Sequence, residues 1–98
     1  MANGTIQKQL PRWGEVLRNL TFPYTAPSDG IAIVDVARNT SGACYMYITD
    51  STAGFVVSKD TTATNDFTLT FPMVSGHKYT ISAQSNVSGY ALKLYPLT

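Results

Sequence analysis

From residue 18 onward, apolar and polar residues alternate with a period of two along most of the chain. That period puts successive side chains on opposite faces of an extended strand. Residues 18–24 set Leu20, Phe22 and Tyr24 against Asn19, Thr21 and Pro23. Residues 31–37, "IAIVDVA", are apolar on both faces, as in a strand buried between layers, and Asp35 is their one charged residue. Residues 43–49 place Cys44, Met46 and Ile48 on one side, Tyr45 and Tyr47 on the other. Residues 54–59 read as a short strand, and 66–71 oppose Phe67, Leu69 and Phe71 to Thr68 and Thr70. Residues 78–84 give Tyr79, Ile81 and Ala83 against Thr80 and Ser82, and 89–97 give Tyr90, Leu92 and Leu94 against Ala91, Lys93 and Tyr95.

Clusters of turn formers separate these runs: "APSDG", "RNTSG", "TDSTAG", "KDTTATND", "PMVSGH" and "SNVSG". Each holds residues that accept turn dihedrals at low cost, and "SNVSG" reads as a hairpin turn. The sharpest boundary is "YTAPSDGIAIVDV", beginning at Tyr24. Pro23 and Pro27 cannot donate to a ladder, Ser28 and Asp29 can bond back to the backbone, and Gly30 can supply the positive φ that ends the turn. Short strands spaced in this way, with no helix of normal length between them, predict an all-β antiparallel β-sandwich, jelly-roll-like, of about seven to eight strands. Residues 1–17 are expected to be a lead-in or stalk remnant, and 18–98 the sandwich head. Trp13, Val16, Leu17 and Leu20 have partial helical spacing behind Pro11, but Gly14 and the short length argue against a stable helix.

Composition narrows the function. The 98 residues fit one domain, and the 13% charged share is about half the ~25% of an average globular domain. Ser, Thr, Asn, Gly and Tyr must cover the surface instead, as is common in extracellular and virion-surface β proteins. The net charge is +1, and the basic residues are scattered, so a nucleic-acid stripe is excluded. No apolar run approaches the ~20 residues needed to span a bilayer, and no signal-peptide pattern opens the chain. If the protein works outside a cell, it is expected to leave by another route, such as lysis or assembly into a particle. Cys44 is the only cysteine and reads as a small buried hydrophobe; one thiol makes neither an intrachain disulfide nor a zinc site.

Little of the chain looks like chemistry. The lone His77 follows a turn and reads as a surface residue; a Ser–His–Asp relay would need it, and no G-x-S-x-G elbow is present. The acids are Glu15, Asp29, Asp35, Asp50, Asp60 and Asp66, and most sit in turns where Asp caps the backbone. Asp35 has three open readings: solvent on an edge strand, a pair with a cation such as Arg38, or a subunit interface. No dense D-x-D-x-D-G spacing calls for a metal, and no cofactor is implied. The sequons at Asn3, Asn19, Asn39 and Asn86 are expected by chance in so Asn-, Ser- and Thr-rich a chain. Tyr45, Tyr47 and Tyr95 are the candidate ligand-binding residues. They lie opposite the aliphatic side of their strands, where rings with a hydroxyl suit sugar stacking or subunit packing, or form a second layer of core.

Three stretches together, "YTAPSDGIAIVDV", "FTLTFPMVSGHKYTIS" and "ALKLYPLT", resemble the corner, the later turn and the closing strand of C-terminal head domains of phage tail fibres and related virion fibre proteins. The resemblance covers about half of the chain from Tyr24 to Thr98. It implies a non-enzymatic head that assembles as a homotrimer on a fibre and touches a host-surface glycan or protein. Under that reading Ile6, Leu10, Trp13 and Leu17 form a brief coiled-coil-like stalk seam. A second stretch, "DFTLTFPMVSGHKYTISAQSNVSGYALKLY", is similar to the last strands of bacterial prepeptidase-type C-terminal domains. It would keep the fold and make the chain a carbohydrate-binding accessory module of a secreted protein. A purely structural fibre or capsid element is the third reading.

Overall fold

The computed structural model of the chain describes residues 12–63 and 65–98. The alternating runs become eight strands, and no helix is present among the described residues: β1 (Leu17–Leu20), β2 (Tyr24–Thr25), β3 (Gly30–Arg38), β4 (Cys44–Asp50), β5 (Phe55–Ala63), β6 (Phe67–Met73), β7 (Lys78–Ser85) and β8 (Val87–Pro96). They form two antiparallel four-stranded sheets, in the orders β1-β8-β3-β6 and β2-β7-β4-β5. The pairs β1–β8, β2–β7, β3–β6 and β4–β5 are the rungs of one long ribbon rolled on itself, which is the jelly-roll form of the β-sandwich.

In this topology β4–β5 is the one consecutive pair that is also hydrogen-bonded. Two expectations change as a result. The single strand expected over residues 18–24 is split: β1 belongs to the first sheet and β2 to the second. Thr21–Pro23 leaves the ladder at a proline that has no N–H to donate. The predicted alternation survives the break, because Leu20, Phe22 and Tyr24 all pack against the core. The segment "SNVSG" is a crossover and not a hairpin, since β7 lies in the second sheet and β8 in the first. Asn86 makes the step with a left-handed φ of 59°. Its side-chain Oδ1 accepts from the Thr40 N–H (3.0 Å) and hydroxyl (2.9 Å), and its Nδ2 donates to the Thr40 (3.1 Å) and Ala43 (3.3 Å) carbonyls.

The core follows from register. In the first sheet β3 lies between β8 and β6, so inward rungs read Leu94–Ala32–Phe71, Leu92–Val34–Leu69 and Tyr90–Val36–Phe67. From the second sheet Met46, Ile48 and Tyr79 meet them, all fully buried. Cys44 is also fully buried, as expected of a small hydrophobe. Beyond Ser82 the expected face of β7 is not kept. A bulge there moves the pairing from Ile48↔Ile81 to Tyr47↔Ala83, so Ala83 leaves the face of Tyr79 and Ile81. β6 tolerates Pro72 because it is an edge strand.

The corner between β2 and β3 carries the chain from one sheet to the other. Gly30 does not take the positive φ expected of it; among the described glycines that conformation falls to Gly42, Gly54 and Gly76. Its lack of a side chain serves close approach to β8. A Cβ at Gly30 would stand 2.5 Å from the Tyr95 carbonyl oxygen and 2.9 Å from Pro96 Cα. Asp29 likewise bonds across and not back: its Oδ1 accepts from Ser75 N–H (2.8 Å) and its carbonyl from Leu97 N–H (2.8 Å).

The described part of the lead-in runs along the end of β8. Gly14 N–H donates to the Pro96 carbonyl, Arg12 and Thr98 exchange backbone bonds, and Trp13 bridges Leu97. This extended pairing corrects the coiled-coil-like seam at Trp13 and Leu17, which are bridge and strand residues; Ile6 and Leu10 lie outside the described residues.

Gly30→Ala is expected to destabilise the domain by about 1–3 kcal/mol, because the nearest atom in the way, the Tyr95 carbonyl oxygen, is backbone and cannot swing aside as a side chain could. Gly89→Ala, where a Cβ meets nothing within 4 Å, is expected to change stability by less than about 0.5 kcal/mol. Asn86→Ala is expected to cost about 2 kcal/mol, and Asn86→Gly, which keeps the left-handed step, less. Urea denaturation of the four variants checks all three.

Candidate functional site

With the inward faces closed on each other, any binding surface must lie on an outward face or at an end of the sandwich. The two outward faces differ in character. On the first sheet the outward rungs are Tyr95–Ile31–Pro72, Lys93–Ile33–Thr70 and Ala91–Asp35–Thr68. Trp13, 59% exposed, joins Ile31, Ile33 and Tyr95 around a shallow hollow of about 370 Å³. β3 therefore is not buried between layers. Asp35 sits on its outer face, where its Oδ1 accepts from the Thr68 hydroxyl (3.0 Å) and its Oδ2 lies 3.9 Å from Lys93 Nζ. Of the three readings of Asp35, the edge strand falls away because β3 is central, and the nearby cation is Lys93 and not Arg38.

On the second sheet β4 turns Tyr45, Tyr47 and Thr49 outward, each half-buried. The two tyrosine rings meet edge to face at 5.9 Å and 76°. The register of the β4–β5 hairpin places Lys59 opposite Tyr47, and its Nζ stands 5.6 Å from the ring centroid. That distance gives a cation–π attraction, modest at so exposed a site. On the β7 side Thr49 Oγ1 donates to Ser82 Oγ (2.7 Å).

Of the three candidate tyrosines, Tyr45 and Tyr47 therefore form one strip, whereas Tyr95 belongs to the opposite outward face. One ligand cannot touch all three. Sequence reasoning missed Lys59, Trp13, Ile31 and Ile33. Counting residues across the "TDSTAG" turn would have set Lys59 against Met46; the irregularity between Ile48 and Thr49 moves it opposite Tyr47, and no local signal announces that shift. The parity of Ile31 and Ile33 with charged Asp35 marked their face as the outward one.

One end of the sandwich holds a buried polar cluster around Asp50. Asp50 closes β4 with its carboxylate inward and only 2% of the residue exposed. Its Oδ1 accepts from Thr52 N–H (3.0 Å) and Ala53 N–H (2.9 Å), capping the hairpin turn, and its Oδ2 is 2.6 Å from His77 Nδ1. Burial pushes the Asp50 carboxyl up, but the bonds from His77, Ala53 and Thr52 together outweigh it and hold the group below its ordinary value of 3.8. Beside it Tyr79 takes the Val74 N–H on its hydroxyl (2.8 Å); burial first, then the Asp50 charge, raise that hydroxyl above its ordinary 10.0. His77 is thus not a plain surface residue but a tether. With Ser51 N–H on the Lys78 carbonyl and Lys78 N–H on the Thr52 hydroxyl, the cluster binds the β4–β5 turn to the β6–β7 turn. Both oxygens of Asp50 are engaged, so the geometry is that of a structural clamp.

A second hollow, of about 200 Å³, lies at the β3–β6 edge and includes Asp35 and Asp66. Both carboxylates are again engaged, Asp35 as above and Asp66 by the Arg38 N–H (2.9 Å). Among the described residues no group of three or more His, Cys, Asp or Glu side chains is placed to hold a metal ion.

Comparison of the chain with family models, with curated proteins and with solved structures finds no match. Its own fold and surface chemistry are therefore what any functional reading must rest on.

The lowered Asp50 carboxyl stabilises the fold in full above pH 3.8 and loses that contribution as the pH falls through the lower folded value. Circular-dichroism melts from pH about 5 down to about 3 are expected to show a falling melting temperature. Asp50→Asn is expected to start lower at neutral pH and to show a shallower acid limb.

Proposed function

We propose that this chain is a non-enzymatic head domain of the kind borne by phage tail fibres and related virion fibres, which binds saccharide on the host-cell surface and works as a homotrimer. The observation that carries the reading is the division of labour between the two outward faces of the jelly roll. The second sheet offers Tyr45 and Tyr47 as half-exposed rings beside Lys59 and a row of hydroxyls, a surface suited to stacking on a pyranose. The first sheet offers the apolar hollow of Trp13, Ile31, Ile33 and Tyr95, a surface suited to packing against other copies. Self-packing through the first sheet leaves the tyrosine strip of every copy facing outward. Several weak sugar contacts then act together, and avidity replaces affinity.

A carbohydrate-binding accessory module of a secreted bacterial protein would share the tyrosine strip. It would have no use for a large apolar hollow on the other face, and the exposed Trp13 therefore favours the assembled head. The Tyr95 side chain moves, under this reading, from the ligand site to the subunit contact.

Light scattering at micromolar concentration is expected to give three times the chain mass, and Trp13→Ala to give monomers with an unchanged β-sheet spectrum. A monomer from the unaltered chain would count against the fibre head. Tyr45→Ala with Tyr47→Ala is expected to leave the trimer intact and to abolish binding to host cells. Binding that persists in that double variant would remove the tyrosine strip from the site.

A further inference from the structure

The charges on the two outward faces are arranged differently, and the difference bears on what the tyrosine strip can hold. On the first sheet the outward lysine, Lys93, has the Asp35 carboxylate beside it. On the second sheet, register turns Lys59 outward opposite Tyr47 and Lys78 outward opposite Thr25. The other outward positions of β4 and β7 are aromatic, hydroxyl or small, and none of them is a carboxylate; Asp60, the residue after Lys59 on β5, is registered opposite the inward Met46. Asp50 is the nearest acid along β4, and it points inward with both oxygens bonded.

The strip is thus a pair of rings with positive charge at its margin. Tyr47 has both the Tyr45 ring and the Lys59 ammonium as neighbours. A sugar stacked on these rings brings its ring substituents within reach of Lys59. An ammonium is a compact point charge that favours an anionic oxygen over a hydroxyl. We infer that the ligand of the Tyr45–Tyr47 strip is an acidic saccharide, built of pyranose units that carry an anionic group. The ring faces take the sugar, Lys59 takes the anion, and the hydroxyls of Thr49 and Ser82 border the strip on the β7 side. This inference rests on the saccharide-binding reading above and sharpens it.

Affinity gel electrophoresis of the whole chain against four polymers tests it: polygalacturonate, dextran sulfate, unsubstituted dextran and polyglutamate. At least one of the two acidic polysaccharides is expected to retard the protein, with dextran about tenfold weaker or more. Retardation by polygalacturonate alone assigns the anion as a carboxylate, and by dextran sulfate alone as an ester anion. Lys59→Gln is expected to bring acidic binding down to the level of dextran, Lys59→Arg to retain most of it, and Tyr47→Ala to remove it altogether. Rising salt should weaken the acidic ligand and leave any dextran binding unchanged. If dextran binds as tightly as the acidic polymers, or Lys59→Gln changes nothing, the acidic preference is overturned while the saccharide reading stands. If polyglutamate binds equally well and Tyr47→Ala is harmless, the face merely attracts anions and the inference fails. If no polysaccharide is retained, both readings fall together.

Discussion

The register of β3 is the constraint on which the rest of the molecule depends. This strand is central in the first sheet, with Ala32, Val34 and Val36 buried and Ile31, Ile33 and Asp35 turned outward. A slip of one residue would exchange the two sets and drive a carboxylate into the core. Gly30 prevents it by fitting where no side chain can, against the backbone of Tyr95 and Pro96. Two bonds from Asp29 then fasten the corner to the β6–β7 turn and to the end of β8. The apolar hollow and the Asp35–Lys93 pair exist on the outer face because that fit is fixed one residue before they begin.

Much of this fold was legible in the alternation of residues. Phe67, Leu69 and Phe71, or Leu92 and Leu94, declare an inward face by parity alone, and each is found there. What parity could not reveal was which sheet a strand joins. "SNVSG" has the chemistry of a hairpin turn, and so does "TDSTAG"; only the second is one. The difference is made by strands far away in the chain, since β7 pairs with β2 and β4, and β8 with β1 and β3. Local turn chemistry carries no information about such partners. The two-sided apolarity of "IAIVDVA" misled for a related reason: Ile31 and Ile33 have apolar neighbours in Trp13 and Tyr95, which arrive from the two ends of the described chain.

The candidate site was legible in half. Tyr45 and Tyr47 share a face whatever their strand pairs with, because they are two residues apart on one strand. Tyr95 satisfies the same rule on its own strand, but its face is the other side of the sandwich. His77 shows the opposite failure. Its partner Asp50 lies 27 positions away, so nothing near His77 in sequence announced a tether between two turns.

The rolled ribbon has a consequence for how the molecule comes into being. β1 has β8 as its sole ladder partner, and β8 also forms one side of the β3 ladder. The first sheet therefore has only β3 and β6 to assemble from while β8 is still being made. Only the β4–β5 hairpin can close early, as a local event of microseconds in isolation. Every other ladder must bring distant segments together against the entropy of a long loop. A chain emerging from the ribosome would expose the aliphatic faces of seven strands until its eighth arrives, and the sparse charge that suits the finished surface gives those faces little protection in the interval.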